Sequence, residues 1–533
     1  MVNPSPPDRA TWPAEPPPRQ PGQRRGKMIS NGEVPLITPV PEIMAAADLL
    51  ENIRRGAKTL AGRYSLKVLH RLAARRGIAL YLVGGTVREM ALGGVTPDLD
   101  LAVSAHTLEL ARELAQALGG TYVLLDEKER TARVVKQEEI LDLAEFRAPT
   151  LEGDLQGRDF TFNALALDLD AVLGKRPPRV IDPLGGLADL AQGLVRMVSA
   201  DNLAADPLRL LRAYRFAATH GFRITAETKA AIKRHAKKFR QVAGERVRQE
   251  LFLFLAAPWT AILLKDMLQV GLLFQMFPEL ADLAGVPQDG FHHLDVLEHS
   301  LETVAQLEEV LVSPSSFFGA LAAEITRYAQ DPGKRVLLKL GALFHDVGKP
   351  KVQAWRPRPE RYTFYHHERV GAEIFENIAA RLRLSTAETR TVIHFIRWHM
   401  RPFLLLPAFR LGTLTVRALG RMVRAARPEL PGCFALAMAD SLAAQGRQKP
   451  EDAERTLAAL ADEAYRFLKE QLEPQERRPR LLTGHDLQKV LGLKPGPQFR
   501  RLLTAVEEAQ WEGRVTTREE ALALVRQILQ SSS

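Results

Sequence analysis

Two regimes of hydrophobic patterning divide the chain. From residue 41 an amphipathic helical stretch runs to Arg76-Gly77, where the glycine signals a stop. The apolar run IALYLVGG (78–85) then predicts a short buried strand entering a glycine turn. Further strand-like runs follow at LDLAV (99–103), TYVLL (121–125), ARVV (132–135) and ILDLAEF (140–146). Between them, HTLELARELAQALGG (106–120) has apolar residues at helical spacing and ends in glycine, which predicts a helix. This alternation is expected to stop near residue 175. Beyond it Leu, Ala and Arg dominate at three- and four-residue spacing, with Pro or Gly breaks near 207, 258, 278, 287, 332 and 431, and PRPERY (357–362) reads as a loop. The expected fold class is therefore an α/β head on a small mixed sheet followed by a long all-α body, in a multidomain chain. Residues 1–40 are proline-rich and aperiodic and read as disordered, with Met28 as an alternative start.

Composition adds constraints. A chain of 533 residues is long enough for several domains. Lys and Arg outnumber Asp and Glu by 73 to 63, a diffuse surplus that favours a polyanionic partner. The single cysteine, Cys433, excludes an internal disulfide and a cysteine-cluster metal site. No apolar run approaches the ~18–20 residues that span a membrane, so a cytoplasmic protein without a membrane partner is expected.

Candidate chemistry begins at YLVGGTVREMALGGVTPDLDLAV (81–103). Asp98 and Asp100, two apart at the start of a strand, leave it on one face and can share divalent cations. Such cations would bridge a triphosphate and activate an attacking hydroxyl. Gly84 and Gly85 open a helix whose free N–H groups suit a phosphate, with Arg88 one turn in. In AADPLRLLRAYRFAATHGF (204–222), Asp206-Pro207 forms a helix start, and Arg209, Arg212 and Arg215 follow at three-residue steps on one stripe. Eight of the thirteen histidines fall between 292 and 399, seven of them within HHLDVLEHSLETV, LGALFHDVGKP, FYHHERVGAEIF and IRWHM, and AMADSLAA follows at 437–444.

These segments resemble two known families. GG-x-VR followed by D-x-D, then GRDFTFNALALDLD (157–170), IDPLGGLADL (181–190), the D-P-L-R start and GERVRQELF (244–252), is similar to the class II tRNA nucleotidyltransferase and bacterial poly(A) polymerase family. The resemblance implies that Arg158 contacts the triphosphate, Asp159 and Asn163 hold the ribose hydroxyls, and Asp206 with Arg209 selects the base. The carboxylate would accept from the exocyclic amine of cytosine or adenine while the arginine donates to the adjacent ring nitrogen. Uracil and guanine, with a carbonyl in place of that amine, would leave the carboxylate unpaired at a cost of about 1–3 kcal/mol. Asp142 is a candidate third carboxylate. The chain departs from the family pattern at Glu89 (an Asp there), Gly157 (an Arg) and Ala205 (a Glu). It has only nine residues, 148–156, where CCA-adding members carry a longer flexible segment. A short segment is found in some C-adding members and in forms of other specificity.

The histidine-rich part resembles the HD phosphohydrolase superfamily. That implies one ligand set of His299, His345, Asp346 and Asp440, extended to a second metal by His367 and His399, with Lys349 near a bound phosphate. Imidazole with carboxylate suits magnesium or a divalent transition metal. The stretch LLTGHDLQKVLGLKPGPQFRRLLTAVEEAQWEGRVTTREEALALV (481–525) resembles the body of long CCA-adding enzymes, where Lys489, Lys494, Arg500 and Arg501 would face an RNA backbone. The expected domains are a disordered 1–40, a nucleotidyltransferase head 41–175, a helical neck 176–285, an HD phosphohydrolase domain 286–445 and an RNA-binding body 446–533. The implied activity is magnesium-dependent addition of C nucleotides, A nucleotides or both (CC, A or CCA) to the 3′ end of tRNA from CTP, ATP or both, with phosphohydrolysis in the HD domain. Two alternatives are a poly(A) polymerase of the same fold and an HD phosphohydrolase whose head only binds RNA.

Overall fold

The computed structural model describes residues 44–94, 98–175, 179–358, 360–477 and 479–531. The expectations for residues 1–40 and for a start at Met28 lie outside these. Strands β1 (Leu80–Val83), β2 (Asp98–Val103), β3 (Thr121–Asp126), β4 (Thr131–Lys136), β5 (Glu139–Glu145), β6 (Ala166–Asp168) and β7 (Val180–Ile181) form one sheet, ordered β3-β4-β5-β2-β1-β6-β7. Only β2 and β5 pair in parallel, which makes the sheet mixed. Its strands coincide with the apolar runs because Leu82, Leu99, Leu101, Val134, Leu141 and Leu143 all point into one core. The helix Thr107–Leu118 ends where Gly119 turns left-handed, at φ +60°.

Two expectations need correction. The sheet does not stop near residue 175, because β7 pairs with β6 beyond it; a two-residue strand carries too little pattern to register in sequence. PRPERY is not a loop: β10 (Ala354–Pro357) and β11 (Glu360–Thr363) form a hairpin, following the short pair β8 (Leu194–Val195) and β9 (Arg223–Ile224). Proline hid the hairpin, yet Trp355 and Tyr362 face each other across it, rings 4.9 Å apart.

Helices make up the remainder. Val296–Val312, Pro332–Phe344, Thr386–Trp398 and Leu430–Ala443 bury nearly continuous apolar faces, and Leu430–Ala443 is buried along most of its length. None of the described helices is long and apolar enough to cross a membrane. A buried ion pair ties the turn after helix Gly244–Leu255 to this bundle. Lys339 donates to Glu308 at 2.6 Å, to the Ala257 and Pro258 carbonyls at 2.7 and 3.1 Å and to the Thr260 hydroxyl at 3.2 Å. Glu308 also accepts from the Thr260 and Ala261 N–H groups. Lys339→Met would strand a buried carboxylate and should cost about 3–5 kcal/mol, read as a lowered thermal midpoint. Lys339→Met with Glu308→Leu should recover much of the loss, and no shift in the single variant would refute the assignment.

Near the C-terminus, Leu487, Leu502, Val506, Ala521 and Val525 form a small separate core. It docks on helix Val416–Ala426 through charge: Arg417 and Arg421 both reach the buried Glu508, and Arg424 reaches Glu507 at 2.6 Å. Lys489, Lys494, Arg500 and Arg501 are all exposed on this module.

Candidate functional site

The glycine pair sets the geometry of the head. Gly84 adopts φ +58°, and a Cβ there would lie 2.7 Å from an Arg158 guanidinium nitrogen. A Cβ on Gly85 would lie 2.8 Å from the Asp100 carboxylate. Both glycines are thus required for close approach, Gly84 also for its backbone. The Thr86 hydroxyl accepts from the Asp100 N–H at 2.7 Å, pinning the strand to the helix that follows the glycines.

In the parallel register Asp100 lies directly opposite Asp142, whose carboxylate takes two bonds from Arg133, at 2.7 and 2.8 Å. Burial raises the Asp100 carboxyl above its ordinary range; Arg158 and Arg88 oppose this, while the Asp142 charge adds to it. Two carboxylates facing each other with one raised in this way fit a divalent cation, which would favour the charged form of both. Asp98 stands at the exposed start of the same strand.

A cavity of about 560 Å³ opens over this edge. Gly84, Gly85, Asp100 and Asp142 line one part of it, and Asp206, Arg209, Arg212 and Arg215 line another. Between them lies a buried network. Asn163 accepts from Arg88 at 2.5 Å and donates to Asp159 at 2.9 Å, and Asp159 accepts from Arg212 at 2.9 Å. Burial pushes the Asp159 carboxyl up, but the Arg212 charge and these hydrogen bonds outweigh it and hold it down at about 2. Glu89 accepts from Arg88 at 3.0 and 2.8 Å, so its longer side chain folds back onto its neighbour.

Asp206 and Arg209, the pair expected to read the base, are not bonded to each other. Asp206 accepts from the Leu208 N–H at 3.3 Å, as a cap should, and from Arg246 at 2.9 Å. Arg209 donates instead to the Gly157 and Asn202 carbonyls, at 3.1 and 3.2 Å. Arg246 and Glu250 were not singled out in the sequence, although both lie in GERVRQELF. Glu250 accepts from Arg212 at 3.0 Å and from Arg215 at 2.6 Å, so it sets the stripe those arginines form. Residues 148–156 include a short helix, Leu151–Gln156, rather than a free loop. Its Asp154 is buried and accepts from the Arg147 N–H and from Arg158, each at 3.1 Å.

The second site is the histidine cluster. The Asp346 carboxylate faces two ways. Oδ2 is 3.1 Å from His345 and 3.7 Å from His299; Oδ1 is 3.2 Å from His367 and 3.8 Å from His399. Asp440 closes the first group, 3.0 Å from His299. All six candidate ligands are buried. His345, His367 and His399 each bond a carbonyl three residues back through Nδ1, at 2.8, 2.8 and 2.7 Å. That fixes the tautomer and leaves Nε2 pointing inward, as ligation needs. His345 Nε2 is buried without a hydrogen-bond partner among the described residues and lies 3.1 Å from Asp346 Oδ2, which fits a metal between them. Gly348 allows the approach, since a Cβ there would lie 2.2 Å from the His367 carbonyl. Lys349 sits 2.6 Å from Asp346.

His292 carries no motif signal in the sequence, yet the fold groups it with this cluster. It stands within reach of His299 and Asp440, and Asp289 holds it at 2.8 Å. Its place in a turn, not on the helix of His299, removed any spacing signal. His366 and His394 are not among the grouped ligands. The cavity over the cluster measures about 550 Å³.

A "Poly A polymerase head domain" model matches residues 80–196, an "HD domain" model residues 296–445, and a tRNA nucleotidyltransferase domain 2 model residues 436–525. The A-adding tRNA nucleotidyltransferase of Deinococcus radiodurans is 37% identical over 84% of this chain and 94% of its own. The chain belongs to the tRNA nucleotidyltransferase family. The CC-adding enzyme of Thermus thermophilus is 36% identical over 83% of this chain and 92% of its own. Among solved structures, a Thermotoga maritima CCA-adding enzyme complexed with tRNA superimposes with a TM-score of 0.57 at 21% identity, covering 87% of this chain and 94% of that one. A CCA-adding enzyme complexed with CTP gives 0.61 at 20% identity, covering 92% and 97%. The family uses divalent metals, and the grouped carboxylates and histidines are suited to them.

Proposed function

We propose that the chain adds cytidylate, adenylate or both to the 3′ end of tRNA, drawing on CTP and ATP, and that its histidine cluster hydrolyses a phosphate ester. The observation that carries the first reading is the single cavity joining the Gly84–Gly85 turn and Asp100 to Asp206 and Arg209. It offers a triphosphate end and a base-reading end in one space. In this reading the head spans about residues 41–181, ending with β7; the neck reaches 285, the HD domain 445 and the RNA-binding body the C-terminus.

The RNA 3′-oxygen bonds to the α-phosphorus as the bond to pyrophosphate breaks. Magnesium on Asp98 and Asp100, with Asp142 beside them, would neutralise charge on the attacking and leaving oxygens. Arg88 and Arg158 face the triphosphate. The Asp159–Asn163–Arg212 network positions the ribose, its carboxylate kept ionised and accepting. Asp206 accepts from the amine of cytosine or adenine, and Arg209 turns from its carbonyl partners to the adjacent ring nitrogen. In the second site, divalent ions held by His299, His345, Asp346, Asp440, His367 and His399 would activate water. Lys349 would orient the phosphate.

The relatives at 36–37% identity are named for adding A or CC, not the whole CCA, which favours partial addition here. The test is single-nucleotide extension of tRNA transcripts ending at the discriminator base, after C and after CC, each with one of the four nucleotides. Two C additions without A identify a CC-adding enzyme; A alone, on the CC end only, identifies an A-adding one. Long A tails on any RNA would favour a poly(A) polymerase, and no extension would sink the reading. In the same assay Arg246→Gln should lower the preference for the native nucleotide over UTP about tenfold, because Asp206 loses the charge that keeps it an oriented acceptor. An unchanged preference would remove Arg246 from base selection.

A further inference from the structure

The cavity over the histidine cluster has two unlike ends. Asp346, Asp440, His367 and His399 form its floor, while Arg361, Tyr362 and Tyr365 belong to its wall. That wall continues into the β10–β11 hairpin, a two-stranded sheet of its own. Trp355 is 53% exposed and Tyr365 61% exposed. Arg356 lies over the Tyr365 ring, 6.0 Å from its centre. Arg356, Arg358 and Arg361 are exposed, and none forms an ion pair among the described residues. Glu360 is the one acidic residue between 354 and 365.

The Trp355–Tyr362 edge contact supports the hairpin, but packing does not account for the open faces of Trp355 and Tyr365. An isolated two-stranded hairpin is marginal in water, and open aromatic rings add little burial to it. Solvent-facing rings interleaved with guanidinium groups are instead suited to single-stranded nucleic acid: bases stack on the rings and the cations follow the backbone. The direction of the chain adds a second argument. From β11 it passes Phe364 and Tyr365 along the cavity wall and arrives at His367, a member of the cluster. A strand stacked on the hairpin would have its end led to the floor.

We propose that the β10–β11 hairpin is a platform for single-stranded RNA, stacking the nucleotides that precede a terminal phosphate ester presented to the histidine cluster. This rests on the phosphohydrolase reading of that cluster. The platform discriminates a strand from a small phosphate ester, since only the strand reaches Trp355.

The test uses the full chain and a short RNA oligonucleotide carrying one 4-thiouridine and a terminal phosphate. Photocrosslinks should map to Trp355 or Tyr365, fall in Trp355→Ala and return in Trp355→Phe. Crosslinks confined to the head cavity or the C-terminal module would overturn the proposal. Hydrolysis in the presence of manganese gives an independent reading, with glycerol phosphate as the substrate that lacks a base. The ratio of kcat/KM for the oligonucleotide to that for glycerol phosphate should fall about tenfold in Trp355→Ala, through KM, the loss expected for one stacked base. An equal loss on both substrates would make the hairpin merely structural and overturn the proposal. If the wild-type protein hydrolyses neither, the phosphohydrolase reading fails, and the crosslink map decides the platform by itself.

Discussion

Asp100→Asn should lower nucleotide addition about a thousandfold or more while leaving phosphate-ester hydrolysis in the histidine cluster intact. The residue sits where charge is concentrated: Asp142 lies opposite it in the register, Arg158 and Arg88 act on it from the far side, and burial works against its ionisation. Asparagine keeps the shape and removes the negative charge that a cation needs. A loss of several kcal/mol in transition-state stabilisation corresponds to this factor. Asp98→Ala, at the exposed start of the strand, should act in the same direction, and the double variant should add little, because both serve one site. The measurement is single-turnover extension of tRNA with bound nucleotide. Activity within tenfold of wild type in Asp100→Asn would refute the assignment, and a matching loss of hydrolysis would refute the separation of the two sites.

The converse is expected at the cluster. Asp346→Asn should abolish hydrolysis, by about a thousandfold, and spare nucleotide addition. The reason is its position: one carboxylate stands between two groups of histidines, with His345 and His299 on one oxygen and His367 and His399 on the other. Losing its charge would remove the ligand that the proposed reading shares between both groups, and metal affinity should fall with it. Bound metal, measured by elemental analysis of the purified protein, should drop from about two ions per chain to one or none. Burial pushes His299 down to about 4 and His399 to about 3, so these two imidazoles are neutral at ordinary pH, as a metal ligand must be, whereas the Asp346 charge raises His345 against its burial. Full metal content in Asp346→Asn, or hydrolysis close to wild type, would exclude the bridging role.

Much of this was legible in the order of residues. Strand and helix periodicity located β1, β2, β4, β5 and the helix Thr107–Leu118, because each buries a face and leaves a regular pattern, while β3 was legible only as an apolar run and lies at the sheet edge with Val123, Leu124 and Leu125 exposed. The glycine pair, the D-x-D, the arginine stripe and the histidine–aspartate run were visible because their spacing is local. Short or two-sided elements were not: β7 has two residues, and the β10–β11 hairpin carries prolines and exposed aromatics that mimic a loop.

Partners distant in sequence belonged to tertiary structure alone. Glu250 and Arg246 carry no motif signal of their own; each gains meaning only when helix Gly244–Leu255 packs against helix Leu208–His220 and meets Arg212, Arg215 and Asp206. His292 joins the cluster through a turn, and Lys339 finds Glu308 across two helices. Sequence by itself determined which chemical groups the chain possesses and which faces its helices and strands must bury, since both follow from local spacing and solvation. The fold alone decided which charges neutralise one another and which are left facing a cavity, because that depends on distances the backbone sets only once the elements pack.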